Sequence, residues 1–395
     1  MKKKEFNLTA KQISTHAIFL LIGLICGTLV GFFMLNRQDQ KRDTNYLDSK
    51  FGPLYEAYDI LKEKYYNELD DKELVNGSIR GMLDSIGDKH TMFFDEKEKE
   101  SFETELSSSY YGIGAQIASL EDGSIIVTKV FDDSPAAKAG IKPGDIFVSI
   151  DGKSVKGKTA DDVATNLRGK SKEKATIVMK RENKEITFEI TKDIVTLLSV
   201  SSEMIDNDIG LISVSLFGES TDKQFEEALI KLEKDGMKSL IIDLRDNGGG
   251  YLSTVTNMIS EFVDRNTVIY QIKDHDNIQK FTSVSNIKRD IKVIILVNEN
   301  SASASEIMCS ALQEQYNATL VGVTTYGKGT VQQTSELSNK TLIKYTIEEW
   351  LTSKGNSIDG KGVKPNVEVE LSENYKENPI RENDNQLQKA IELAK

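Results

Sequence analysis

The chain has 395 residues, enough for two or three domains with real cores. Its 50 Lys+Arg against 62 Asp+Glu leave a formal net charge of −12, which argues against the cationic surface that non-specific nucleic-acid binding needs. Two cysteines, Cys26 and Cys309, exclude a disulfide scaffold and a cysteine-based zinc site. Three histidines, His16, His90 and His275, leave little material for a metallohydrolase or a Ser-His-Asp hydrolase. None has an evident partner, and no metal site or cofactor is expected.

Ala17–Leu35 is 19 residues without a charge. As a helix it would reach roughly 29 Å, the thickness of a bilayer's hydrocarbon core. No small-x-small cleavage site follows it, so the run reads as an uncleaved anchor rather than a signal peptide. Lys2, Lys3, Lys4 and Lys11 precede it and Arg37, Lys41 and Arg42 follow, a slight positive-inside bias. The expectation is a cytoplasmic segment 1–16, a transmembrane helix 17–35, a linker 36–50, and the remaining chain outside the cell membrane.

Apolar spacing of three and four predicts helices over 54–66, 72–84 and 95–106. The period then shortens. Tyr110–Ser119, Ser124–Phe131, Asp145–Ile150, Ala175–Lys180 and Glu185–Ile190 read as strands separated by turn residues. A helix over Thr159–Arg168, with Thr159 as its N-cap, sits among them. From about residue 208 strands and helices alternate. Strands at Ile209–Ser215, Ser239–Leu244, Lys292–Val297 and Thr319–Val323 are interleaved with helices at Thr221–Lys234, Leu252–Val263 and Ala302–Gln315. That pattern predicts an α/β core with a largely parallel sheet. Residues 341–353 and 357–371 return to strand patterning, and Asp384–Lys395 reads as a short amphipathic helix.

Four runs could carry chemistry. Ser301-Ala302-Ser303-Ala304-Ser305-Glu306-Ile307 follows a strand and opens a helix, where exposed backbone N–H groups and the helix dipole favour a developing oxyanion. Ser303 and Glu306 also fit a capping box, which needs no catalysis. In Gly327-Lys328-Gly329-Thr330-Val331-Gln332 the glycines allow close approach to the Lys328 backbone. If this run is extended, Lys328, Thr330 and Gln332 share a face, so Gln332 could orient the Lys328 amine. Gly322–Lys328 is a near-miss to a phosphate loop, but Gly329 stands where the magnesium-binding hydroxyl belongs, which disfavours an ATPase. Asp243-Leu244-Arg245-Asp246-Asn247-Gly248-Gly249-Gly250 ends a strand with amides that could face an anion, or is simply a strand-to-helix turn. Gly112-Ile113-Gly114 precedes a strand and could bind a peptide carboxylate while the peptide extends the sheet.

Taken together, these runs resemble the carboxyl-terminal processing peptidases, or tail-specific proteases, a family of membrane-tethered or exported serine proteases with a PDZ domain. The resemblance also rests on Ser134-Pro135-Ala136-Ala137, Gly140-Ile141-Lys142-Pro143-Gly144-Asp145 and Gly362-Val363-Lys364-Pro365, and spans roughly residues 51–371 in family order. It implies a multidomain α+β fold with a transmembrane helix, a helical lead (51–106), a β-rich PDZ domain (107–192), an α/β protease core of the ClpP/crotonase type (193–375) and a C-terminal segment (376–395). It implies a Ser–Lys dyad of Ser303 and Lys328, 25 positions apart, supported by Gln332, with oxyanion donors at the Ala304 and Gly249 amides. Substrate tails would bind at Gly112, Ile113 and Gly114. The sequence departs from the family at Gly248, where Pro is usual, and after Gly169, where a second glycine is usual; the first loosens the loop that carries Gly249.

The chemistry of such a dyad is demanding. A free lysine titrates near ~10.4 and is protonated at neutral pH, so it must be buried to serve as a base; burial supplies ~3 units or more. Arg168, ending the helix beside the expected tail, reads either as a regulatory sensor of the tail carboxylate or as an ordinary surface residue. The expected activity is C-terminal endoproteolysis of proteins or peptides with exposed tails, with homodimerisation through the helical lead or the last segment open. The alternatives are a non-catalytic PDZ scaffold with a degenerate core, which the intact Ser303, Lys328 and Gln332 disfavour, and an acyl-transfer enzyme, which would have no use for a tail-binding domain.

Overall fold

The computed structural model describes residues 44–395 except 108, 170, 171 and 276. The expected anchor at 17–35, with His16 and Cys26, lies outside the described residues, and so does most of the expected linker. Among the described residues no helix is long and apolar enough to cross a membrane.

The described residues fall into two compact units that divide between Ile79 and Arg80. The first carries helix α1 (Thr44–Lys64) and opens helix α2 (Asp71–Asp84). Helix α1 starts ten residues before the expected helix, inside the stretch read as a linker, and runs through Pro53. Leu47, Phe51 and Leu54 continue the helical spacing across Pro53, whose ring removes one backbone donor without erasing the stripe. Lys62 pairs with Asp71 at 2.6 Å, joining the two helices.

The second unit opens with β1 (Met92–Phe94) and α3 (Glu96–Ser107) and then enters the β-rich domain. The expected strand Tyr110–Ser119 is two strands, β2 (Ser109–Gly112) and β3 (Ala115–Ser119). Gly114 breaks it at φ +78°, and a Cβ there would lie 2.3 Å from the Ser134 Cβ, so only glycine fits. Next come β4 (Ile125–Val130), α4 (Pro135–Ala139), β5 (Ile146–Ile150), β6 (Lys153–Ser154), α5 (Ala160–Leu167), β7 (Lys174–Arg181), β8 (Lys184–Thr191) and β9 (Asp193–Thr196). Strands pair in the order β3-β4-β5-β7-β8, with β6 on β5, and β2 pairs with β9 where the chain enters and leaves the domain. Ile125, Val127, Phe147, Val163, Ile177 and Met179 fill its core. Several of the domain's motif residues prove to be architectural. The Ser134 hydroxyl accepts the Ala137 N–H at the start of α4, and buried Asp145 accepts two hydrogen bonds from Arg181, at 2.6 and 2.7 Å. Thr159 caps α5 as expected, in a capping box with Asp162.

The remaining chain builds β10 (Val200–Ile205), β11 (Ile209–Val214), α6 (Thr221–Lys234), β12 (Ser239–Asp243), α7 (Leu252–Ser260), β13 (Val268–Asp274), β14 (Asn277–Thr282), β15 (Lys292–Val297), α8 (Ala304–Gln315), β16 (Thr319–Gly322), β17 (Thr330–Glu336), β18 (Leu342–Thr352), β19 (Val367–Glu368), α9 (Glu373–Glu377) and α10 (Asn385–Ala394). One sheet runs β10-β11-β12-β15-β16-β19, parallel except for β10 against β11. Alternation along its strands splits two cores. Leu240, Ile242, Val293 and Ile295 pack with α6, α7 and α8, while Ile241, Ile294 and Leu296 pack with Leu387, Ala390 and Ile391 of α10. Each fully buried side chain of this kind contributes about 1.5–3 kcal/mol. The segment read as separate, 376–395, thus ends in a helix that completes the parallel sheet's second face.

A second, antiparallel sheet, β1-β18-β13-β14 with β17 on β18, has no counterpart in the sequence reading for its β13–β14 hairpin. The expected strand over 357–371 shrinks to Val367–Glu368, because Gly360 and Gly362 take left-handed conformations and Pro365 follows.

Candidate active site

Strand β15 carries the chain up through Val297 into the Ser301–Ser303 turn, and α8 leaves from it. Ser303 has φ +56° and ψ −114°, a conformation L-residues avoid and one that concentrates at functional sites. As first residue of α8, Ala304 has an amide with no acceptor inside the helix. Glu306 explains how this turn is held. Its carboxylate is fully buried and accepts four hydrogen bonds. Oε2 takes the Ser303 N–H at 2.8 Å and the Lys328 N–H at 2.9 Å. Oε1 takes the Thr325 hydroxyl at 2.6 Å and the Gly327 N–H at 2.7 Å. Because one oxygen binds both backbones, the Ser303 and Lys328 nitrogens lie within roughly 6 Å of each other. The Ser-x-x-Glu spacing suggested a helix cap. The Glu306 carboxylate does accept the Ser303 N–H, and it also joins the two loops.

The Gly327-Lys328-Gly329 run is clamped from the far side. Gly327 and Gly329 face the backbone of 359–362 so closely that an added Cβ would lie 2.8 Å from the Gly362 nitrogen in one case and 2.6 Å from the Asp359 Cβ in the other. The Gly329 N–H donates to Asp359 Oδ1, and the Trp350 indole N–H donates to the Lys328 carbonyl at 2.8 Å. The Val363 N–H donates to Thr325 Oγ1 at 2.7 Å, which gives the Gly-Val-Lys-Pro run a role in bracing this loop. The run after Lys328 is strand, as expected, with a bulge between Val331 and Gln332.

Ser303, Lys328 and Gln332 line one cleft of about 970 Å³, with Gly248, Gly249 and Gly250 on its other wall. Leu197, Leu198, Leu216 and Leu252 make part of it apolar. Burial, helped by the charge of Lys344, brings the Lys328 amine down from the usual lysine range to about 8; Asp88 and Glu306 oppose the shift. Gly249 has φ +110°, and its Cβ position is 2.8 Å from the Ser303 Cβ and 3.1 Å from the Ala304 nitrogen. The loop therefore reaches the expected oxyanion position, but the Gly249 N–H is bonded to Asn247 Oδ1 at 2.9 Å. Arg245 anchors the same loop from below through Asp243 and Asp384, the latter also capping α10.

The expected tail-binding residues sit apart from this cleft. Ile113 is buried in the β-rich domain and its carbonyl accepts the Ala136 N–H at 2.7 Å. Among the described residues the Ile113 and Gly114 amides meet no acceptor. They open β3, which is the edge of its sheet and runs beside α5. Arg168 ends α5 with its guanidinium 5.5 Å from the Tyr110 ring centroid. His90, given no partner by sequence, lies near enough to Lys328 for that charge, after burial, to lower its pKa. His275 is solvent-exposed. Among the described residues no acidic or histidine cluster could hold a metal.

Residues 208–369 match Peptidase family S41, 126–181 match a PDZ domain, and 33–98 match the activating protease CtpB N-terminal domain. The chain is 36% identical over 364 residues to the carboxy-terminal processing protease CtpA of Bacillus subtilis (strain 168), covering 91% of this chain and 78% of that protein. It is 33% identical over 340 residues to CtpB of the same organism, covering 85% and 71%. Of solved structures, the photosystem II D1 C-terminal processing protease is 26% identical, covering 78% of this chain and 84% of that one with a TM-score of 0.47. The chain belongs to peptidase family S41, among its PDZ-bearing carboxy-terminal processing proteases.

Proposed function

We propose that the protein cleaves proteins near their C-termini with Ser303 as nucleophile and Lys328 as general base. One observation supports this above the others: a single buried Glu306 oxygen holds the backbones of Ser303 and Lys328 while both side chains enter one cleft. In this reading the neutral Lys328 amine takes the Ser303 hydroxyl proton as Oγ attacks the scissile carbonyl. The resulting ammonium returns that proton to the leaving amine, and water then hydrolyses the acyl-enzyme by the same route. The Ala304 N–H is the first oxyanion donor. The Gly249 N–H becomes the second only when it exchanges Asn247 for the substrate oxygen. Gln332 holds the lysine amine.

Substrate tails bind along β3, with the terminal carboxylate at the Gly112-Ile113-Gly114 amides and Arg168 sensing it. Residues 17–35 anchor the chain in the cell membrane, 1–16 lie in the cytoplasm, and catalysis takes place outside. Cleavage of an unstructured protein with an apolar C-terminal tail tests the dyad. Ser303→Ala and Lys328→Ala should each abolish it, and full activity in either variant refutes the assignment. Protease accessibility of the catalytic part on intact cells tests the topology; protection from added protease would refute it.

A further inference from the structure

The ends of the Gln332 side-chain amide are chemically opposite, so its use depends on which end faces Lys328. Gln332 and Thr346 are direct partners across β17 and β18. The Gln332 Nε2 atom lies 3.3 Å from Thr346 Oγ1 and 2.8 Å from Thr330 Oγ1. Thr346 Oγ1 in turn lies 2.6 Å from Asp88 Oδ2. An ionised carboxylate only accepts, so the single hydroxyl proton of Thr346 goes to Asp88. Toward Gln332 the Thr346 oxygen can then only accept, and the amide atom facing it must be the NH2. The committed proton of Thr346 thus fixes which end of the amide faces it.

Asp88 is built for this task. Burial pushes its carboxyl up, but hydrogen bonds from Thr346, Thr91 and the His90 amide outweigh burial and hold it at about 2. It stays ionised across the working range of a protease. The Thr91 hydroxyl donates to it at 2.7 Å and the His90 N–H at 2.9 Å. The loop that carries it is fastened to the Lys328 loop by Lys89, which donates to the Tyr326 hydroxyl at 2.7 Å. At the other end, Gln332 Oε1 accepts no hydrogen bond among the described residues, and Gln332 lines the same cleft as Lys328.

We infer that Asp88 and Thr346 are positioning residues of the reaction: together they lock the Gln332 amide with its oxygen available to the Lys328 amine. The inference rests on the Ser303–Lys328 reading above. Without the Thr346 hydroxyl the amide keeps only the Thr330 hydroxyl, which can accept from an NH2 or donate to an oxygen, so the amide can turn end for end and its NH2 then faces an amine that needs an acceptor. Asp88 also acts through charge. Lys344 and Lys89 lower the Lys328 pKa, Asp88 and Glu306 raise it, and His90 is in range as well. Removing the Asp88 charge therefore leaves a lysine that loses its proton at lower pH.

The test measures kcat and KM against pH on an unstructured protein with an apolar C-terminal tail, with Ser303→Ala and Lys328→Ala alongside. Thr346→Val should lower kcat about tenfold, the worth of one hydrogen bond, with little change in KM. Thr346→Ser, which keeps the hydroxyl, should recover most of that loss. Asp88→Asn should lower kcat and move the acid limb of kcat/KM to lower pH, which a merely structural residue would not do. Thermal melts qualify each variant, and Thr346→Ala replaces the valine variant if that does not fold. A folded Thr346→Val or Thr346→Ala enzyme with wild-type kcat, or an Asp88→Asn profile whose acid limb stays in place, overturns the inference while leaving the dyad standing. Activity in Ser303→Ala or Lys328→Ala overturns the dyad itself, and the inference with it.

Discussion

Lys328 is a cation placed where a cation is disfavoured, and its pKa near 8 makes the consequence measurable. Only the neutral amine can take a proton, so kcat/KM should climb about tenfold per pH unit below an inflection near 8 and level off above it. A profile flat from pH 6 to 9 would exclude lysine as the base. The same burial costs stability, so Lys328→Met should unfold at higher denaturant concentration at pH 7, by about 0.5–2 kcal/mol, while losing activity. Ser303 and Lys328 stand out in the sequence because helix-start and glycine-flanked patterns are local, but their pairing as a dyad comes only from the family resemblance. Glu306 was visible only as a cap, because its other partners, Thr325, Gly327 and Lys328, lie about twenty positions downstream. Glu306→Gln turns one acceptor end into a donor that faces other donors. It should cost about 1–3 kcal/mol in urea unfolding and reduce turnover by detaching the two loops. An unchanged midpoint would show that the four hydrogen bonds carry little.

At the scale of elements, continuous apolar runs such as Lys292–Val297 announced the buried parallel strands, and Thr221–Lys234 matched its helix end for end. The β13–β14 hairpin escaped notice because its second strand, Asn277–Thr282, is mostly exposed and polar, with no alternation to read. The break at Gly114 escaped because one left-handed glycine does not interrupt an apolar run. Helix α10 was legible as a helix, but its place was not, since nothing local pairs Asp384 with Arg245, 139 positions away. That pairing makes α10 a support for the Asp243–Gly250 loop as well as a cover for the sheet. Asp384→Ala removes a nearly buried partner of Arg245 and the cap of α10 together. It should lower stability by about 2–3 kcal/mol by chemical denaturation. If the loss is under half a kilocalorie, Asp243 and Gln386 suffice to hold the arginine without Asp384.

Across the molecule, the proposed tail-binding edge and the proposed catalytic cleft can be coupled in two ways, and the two have different kinetic signatures. The β3 edge begins at two amides without acceptors among the described residues, and a carboxylate is what such amides and Arg168 would recognise. Amidating the C-terminus of a substrate removes that charge without touching the scissile bond. If the domain only concentrates substrate, the amidated form should show a KM higher by about tenfold or more, the worth of a hydrogen bond to a charged group, with kcat unchanged. If tail binding also realigns the cleft, kcat itself should fall. The Gly249 amide supplies a physical reason to expect the second outcome: it is held by Asn247 and must be released before it can meet an oxyanion. On the coupled reading, Arg168→Ala lowers kcat on the free-acid substrate to the amidated level and leaves the amidated substrate unaffected. Equal kcat for both substrates in the wild-type enzyme would confine the PDZ domain to capture.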